Sequence, residues 1–117
     1  GGMPGSAHLR DNPALISEIK AFDQAGKKIA AICAAPIALH QAGILKDKHF
    51  TCYDGVQENI SDGIYQKQTV VVDGNLTTSR GPSTALAFAY ELLEQLGGDA
   101  ESLRVGMLYR DVFENQQ

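Results

Sequence analysis

Ile29-Ala30-Ala31-Ile32-Cys33-Ala34-Ala35-Pro36 is the stretch on which the fold turns. Four apolar residues without a break read as a strand covered on both faces, the pattern of a parallel sheet. A helix over 34–42 follows at once and stops at Gly43, so Cys33 stands at a strand-to-helix junction. That is the geometry of a nucleophile elbow, which turns a side chain out of the sheet and crowds the neighbours two residues away. Ala31 and Ala35 hold those positions and are small enough. A helix start leaves N–H groups unpaired and carries partial positive charge, and both favour thiolate over thiol. The N–H of Ala34 would face an oxyanion on any substrate that Cys33 attacks. The same residues also suit a buried structural cysteine, since free cysteine is among the most buried residue types. From these eight residues alone both readings stand.

Outward from this stretch the chain reads as alternating helix and strand. Asn12-Pro13 after Asp11 is a helix start, and Leu15, Ile16, Ile19 and Phe22 follow at helical spacing until Gly26. Downstream, 50–53 reads as a short strand and 54–67 as mostly loop. Runs 69–72 and 76–79 flank Asp73-Gly74-Asn75, a hairpin signal. Gly81-Pro82 opens a helix over 82–96 whose apolar residues cover most of its circumference, so it is expected to be well buried. Asp99 caps a last helix over 100–113. The class is α/β. So few parallel strands leave the helix before residue 26 poorly covered, which suggests that strands are missing ahead of it. The opening Gly1-Gly2-Met3-Pro4-Gly5-Ser6 is either extraneous residues before a start at Met3 or a glycine turn inside a fold.

Composition narrows the function. A chain of 117 residues is one domain's worth. With 44% hydrophobic and 21% charged residues it sits in the globular range. The net charge of −4 and the lack of a basic stripe argue against nucleic acid. The longest apolar run, 29–39, is broken by Pro36 and falls short of a membrane span. Cys33 and Cys52 are too few for a disulfide framework and point to free thiols in a reducing compartment, the cytoplasm. Cys52, in a strand, reads as core or pocket lining, and a disulfide to Cys33 stays open. Of His8, His40 and His49, His8 in the glycine-rich segment is the one placed near a pocket. No spacing supports a metal site or a dinucleotide-binding turn. Arg80, between strand and helix, suits an anion or a carboxylate across an interface, or merely ends a sheet edge.

Three motifs together carry a resemblance. Ala30-Ala31-Ile32-Cys33-Ala34-Ala35-Pro36 looks like the nucleophile-elbow motif of the ThiJ/PfpI superfamily, in its parkinsonism-associated deglycase and YajL-like branch. Thr78-Ser79-Arg80-Gly81-Pro82-Ser83-Thr84 looks like that branch's second signature, and Gly1-Gly2-x-x-Gly5 like the glycine turn before both. The resemblance implies a flavodoxin-like three-layer sandwich with a mostly parallel sheet, here incomplete at the N-terminus. It implies one domain over 1–117 forming the C-terminal portion of such a fold, and a homodimer. It implies that Cys33 is the reactive cysteine, that the N–H groups of Gly2 and Ala34 line an oxyanion pocket, and that Arg80 lies on the dimer-facing side of the site. Family members carry further strands and helices before the glycine turn, with a glutamate that hydrogen-bonds the cysteine. Here they are absent, so the chain reads as a C-terminal fragment whose partner is that missing segment. Some members place a histidine where this sequence has Tyr53, which here shapes the pocket.

The function implied is cofactor-independent glyoxalase or deglycase chemistry on methylglyoxal-like 2-oxoaldehydes or their adducts, with a small aldehyde as substrate. The alternative is a redox-responsive stress protein or holdase that uses oxidisable Cys33. A structural domain with a buried cysteine is the third reading. Amidotransferase or peptidase chemistry ranks low, because Ala34 stands where a histidine would be needed.

Overall fold

The computed structural model describes residues 1–114. Two helices open the chain, α1 (Gly5–Arg10) and α2 (Pro13–Gln24). Asn12 starts α2 by accepting hydrogen bonds from the N–H groups of Ala14 and Leu15, with Pro13 in the first turn. Strand β1 (Ile29–Ile32) leads through Cys33 into α3 (Pro36–Gln41). Short strands β2 (His49–Phe50) and β3 (Ile64–Tyr65) follow, with a 3-10 turn over Val56–Asn59 between them. Strands β4 (Val70–Asp73) and β5 (Leu76–Ser79) form the expected hairpin, turning at Gly74 with φ 58°. A 3-10 turn over Pro82–Thr84 opens α4 (Ala85–Gln95), and α5 (Ala100–Gly106) follows.

The main sheet has the order β1-β5-β4, with β1 parallel to β5 and β4 antiparallel to it. Alternation along β5 sorts the layers. Leu76 belongs to the core with Ala31, Ile37, Leu39, Phe50 and Cys52, against which Ile16 and Ile19 of α2 pack. Thr77 points the other way and accepts a hydrogen bond from the Gln95 amide of α4 at 2.8 Å. Helices therefore lie on both sides of a partial sheet whose pairings are one parallel and one antiparallel, rather than the mostly parallel sheet expected, within a flavodoxin-like α/β fold. Asn75 ties the hairpin to the loop before β1, donating to the Lys27 carbonyl at 2.9 Å and to Asp23 at 3.1 Å.

Five features differ from the sequence reading. β1 is an edge strand, and Ala30 is exposed rather than covered on both faces. α4 buries only Tyr90 among its residues, and Leu86 lies open, because α5 and Tyr109 cover only the Tyr90 side of the helix among the described residues. The glycine-rich opening folds into α1, and part of the 54–67 loop is ordered as β3, parallel to β2. The last helix stops at Gly106, and a π-helical turn over Arg110–Glu114 follows Leu108, whose φ is 63°. No helix among the described residues is long and apolar enough to cross a membrane.

Candidate functional site

Cys33 has φ 67°, a left-handed backbone that a non-glycine residue adopts only where its surroundings impose it. Two hydrogen bonds impose it. The Cys33 N–H donates to the Ser79 carbonyl at 3.1 Å, continuing the β1–β5 ladder by one residue. The Cys33 carbonyl accepts from the Tyr53 N–H at 2.9 Å. The chain then tightens at once, as Ala35 N–H donates to the Ile32 carbonyl at 3.1 Å and Ile37 N–H to the Ala34 carbonyl at 3.2 Å. Between those turns the Ala34 N–H has no acceptor among the described residues. Ala34 itself is buried, and Cys33 is half-buried with a free thiol. Small residues are required here, and Ala31 and Ala35 flank the junction as expected.

The same two backbone bonds bring the Tyr53 and Arg80 segments to Cys33. Tyr53 and Arg80 line an open cavity of about 380 Å³ with Asp54, Gly81, Pro82, Ser83 and Thr84. The Tyr53 ring lies against Gly81, where an added Cβ would stand 3.3 Å from a ring carbon. Arg80 pairs with Asp54, and this contact holds the Asp54 carboxyl below the ordinary carboxylate range. Its Nε is buried and makes no hydrogen bond among the described residues. The loop that carries Arg80 is fixed by one hydroxyl. Thr84 Oγ1 accepts from the N–H groups of Arg80 at 3.1 Å and Gly81 at 3.0 Å, donates to the Gly81 carbonyl, and lies 2.7 Å from Ser79 Oγ, whose own proton goes to the Thr69 carbonyl at 2.6 Å.

Gly2 has φ 68°, and its carbonyl accepts from Ser6 N–H at 2.7 Å as α1 begins. α1 packs on α3, which brings this turn onto the helix that follows Cys33. His8 is exposed on α1 and does not line the Tyr53–Arg80 cavity. His40 lies apart, hydrogen-bonded to Ser61 at 3.0 Å. Cys52 is wholly buried, and burial pushes its thiol up to about 11, with the Gln57 amide oxygen 3.8 Å from its sulfur. Both cysteines are free, so the open disulfide question resolves to two thiols. Asp54 and Thr84 are the residues whose roles sequence reasoning missed. Thr84 lies inside the quoted second motif, whereas nothing in the sequence joins Asp54 to Arg80.

Comparison with known proteins follows the same residues. The model of the DJ-1/PfpI family matches residues 1–95. Protein DJ-1alpha of Drosophila melanogaster is 40% identical over 101 residues, covering 84% of this chain and 46% of that protein. The glutathione-independent glyoxalase DJR-1.2 of Caenorhabditis elegans is 34% identical, covering 83% of this chain and 53% of the relative. The crystal structure of Drosophila melanogaster DJ-1beta superposes with a TM-score of 0.87 at 36% identity, covering 92% of this chain and 60% of that one. The chain thus spans about half the length of the curated relatives it matches.

Proposed function

The chain belongs to the DJ-1/PfpI family, and on that premise we propose that it carries the cysteine half of a cofactor-independent glyoxalase or deglycase site acting on methylglyoxal-like 2-oxoaldehydes. The observation that carries this reading is the backbone at Cys33, at φ 67° beside an Ala34 N–H without an acceptor. In the proposed step the Cys33 thiolate attacks the aldehyde carbon and gives a hemithioacetal. The N–H groups of Ala34 and Gly2 hold the oxygen. A proton leaves the first carbon and returns to the second, which yields a thioester, and water releases lactate and the thiol. Tyr53 and Arg80 bound the adjoining cavity, and His8, exposed on α1, lies outside it. The site works within one domain, in a homodimer in the cytoplasm. The similarity to a glutathione-independent glyoxalase supports the substrate class at family level.

A second reading has its own observation. The one carboxylate that lines the adjoining cavity among the described residues, Asp54, is held by Arg80. Proton transfer therefore has no ready base there, whereas oxidation needs none. A peroxide would be attacked by the Cys33 thiolate to give sulfenic acid and hydroxide, and function would follow from changed binding in a stress protein or holdase. Lactate formation from methylglyoxal without glutathione separates the two. We expect turnover by the chain within its assembly and its loss, by 100-fold or more (on the order of a removed nucleophile), in Cys33→Ser. Turnover unchanged in that variant rejects the enzymatic reading. No turnover, with Cys33 oxidised faster than Cys52 by dilute peroxide, favours the second.

A further inference from the structure

Arg80 and Asp54 are the charged residues that line the cavity adjoining Cys33, and the other lining residues are neutral. The backbone ties both to the elbow. Cys33 N–H donates to the carbonyl of Ser79, the residue before Arg80, and the Cys33 carbonyl accepts from the N–H of Tyr53, the residue before Asp54. The buried Cys52 thiol is acted on by Asp54, Arg80 and Cys33 together, so the pair and the elbow surround one residue. An arginine so placed suits an anion, since its guanidinium carries a fixed charge and a fork of donors that matches a carboxylate. Here the chain supplies that anion itself, as Arg80 Nη2 donates to Asp54 Oδ1. The Arg80 side chain is 28% exposed and that of Asp54 62%, so the pair meets solvent rather than the core. The guanidinium holds the Asp54 carboxyl below the ordinary carboxylate range, with a further pull from Lys67, so both partners stay charged at neutral pH and their charges cancel.

We propose that Asp54 is a specificity-determining residue: by occupying Arg80 it leaves the cavity neutral in sum, so that Cys33 takes uncharged 2-oxoaldehydes and discriminates against aldehydes that carry a carboxylate. This deepens, and rests on, the reading of Cys33 as the group that attacks the aldehyde carbon. The discrimination is a competition. A carboxylate-bearing ligand reaches Arg80 only by displacing Asp54, and it meets the negative charge of Asp54 as it enters, whereas an uncharged aldehyde does neither. Without the Asp54 charge, Arg80 is free to donate two hydrogen bonds to an incoming carboxylate. A solvent-facing ion pair of this kind contributes little to folding, so the consequence of the pair falls on the choice of ligand. Arg80 keeps its place when Asp54 is changed, because its backbone N–H is held by Thr84 Oγ1 at 3.1 Å and not by Asp54.

The test compares two alkylating agents of similar shape and different charge, iodoacetamide and iodoacetate, on the 117-residue chain, read at Cys33 by site-resolved mass spectrometry. The ratio of the two rates cancels any change in the amount of thiolate. We expect the iodoacetate-to-iodoacetamide ratio to rise about 5-fold or more in Asp54→Asn at low salt. That rise should shrink as salt goes from about 20 mM to about 500 mM. Asp54→Glu, which keeps the charge, should keep the wild-type ratio, and Arg80→Gln should lower it. Glu18→Gln removes the same charge from α2, outside the cavity, and should leave the ratio as it is. Cys52, wholly buried, should resist both agents and report an intact core in every variant. Glyoxylate, with a carboxylate where methylglyoxal has an acetyl group, carries the test to the reaction. The Cys33 thiol adds across its aldehyde C=O bond, and its inhibition of methylglyoxal turnover should tighten about 5-fold in Asp54→Asn. An alkylation ratio in Asp54→Asn equal to that of the wild type overturns the proposal. An equal rise in Glu18→Gln does so too, since net charge is then the cause. If no variant turns over methylglyoxal, the enzymatic reading fails, and the alkylation ratio still decides whether Asp54 sets the charge that a ligand of Cys33 meets.

Discussion

At Cys33 the backbone itself is the informative observation. A left-handed conformation costs an L residue about 1–2 kcal/mol, and here it is held by the Ser79 carbonyl on one side and the Tyr53 N–H on the other. Glycine occupies that region without the penalty but loses more freedom on folding. Cys33→Gly should therefore be more stable than Cys33→Ala by about 1 kcal/mol, measured by urea unfolding. Equal stabilities would mean that the elbow relaxes once the thiol is gone. Cys52 behaves oppositely. Burial raises its thiol from 9.0 to about 11, so the folded chain keeps this proton where the unfolded chain loses it. Stability should fall as pH climbs from 9 towards 11, and Cys52→Ala should flatten that slope. Titration of the unfolding midpoint over this window checks it, and a slope unchanged in the variant assigns the effect to other groups. The cysteine at the elbow was legible in the sequence because a local pattern, apolar strand then small-residue helix start, fixes it. Arg80 was legible only as an ambiguous cation. Its partner Asp54 lies 26 residues away in the chain, and no local spacing brings them together.

Among the elements, the β5–α4 junction positions the second half of the site through a single side chain. Thr84 Oγ1 accepts from the backbone N–H groups of Arg80 and Gly81, so its loss strands both donors at once. Thr84→Val keeps the shape and removes the acceptor, and should cost about 2 kcal/mol in urea unfolding. Thr84→Ser keeps the hydroxyl and should stay close to wild type. If the two variants unfold alike, the methyl packing rather than the hydroxyl holds the loop. Helix α2, strand β1 and the β4–β5 hairpin were legible because capping, apolar runs and a turn of Asp-Gly-Asn type are local signals. α1 was not, because Gly1 to Gly5 reads as a turn while the helix is supported by its packing on α3. The burial expected of α4 fails for a related reason. Periodicity shows which faces of a helix are apolar, and only the presence of a neighbour decides whether they are covered.

For the whole molecule, apolar exposure is the dominant fact. The radius of gyration is 14.7 Å, above the ~13.4 Å of a compact chain of this length, and the molecule measures 44 × 30 × 24 Å. The α4–α5 side shows Leu86, Leu96, Leu103, Val105 and Leu108 exposed, Leu96 at 76%. This surface differs from the β1 edge, since α4 covers the Thr77 face of β5. Exposed leucines in a monomer contribute little to its stability, and surface substitutions of that kind stay within about 0.5 kcal/mol. In a self-associated chain the same residues are covered, and stability then depends on concentration. The wild-type thermal midpoint should therefore rise between low and high micromolar protein. Leu86→Gln with Leu96→Gln should abolish that rise while leaving the midpoint at the lowest concentration unchanged. A wild-type midpoint independent of concentration, together with a monomer mass, would remove this face as a contact between copies. A double variant already destabilised at the lowest concentration would mean that the leucines support α4 within one chain.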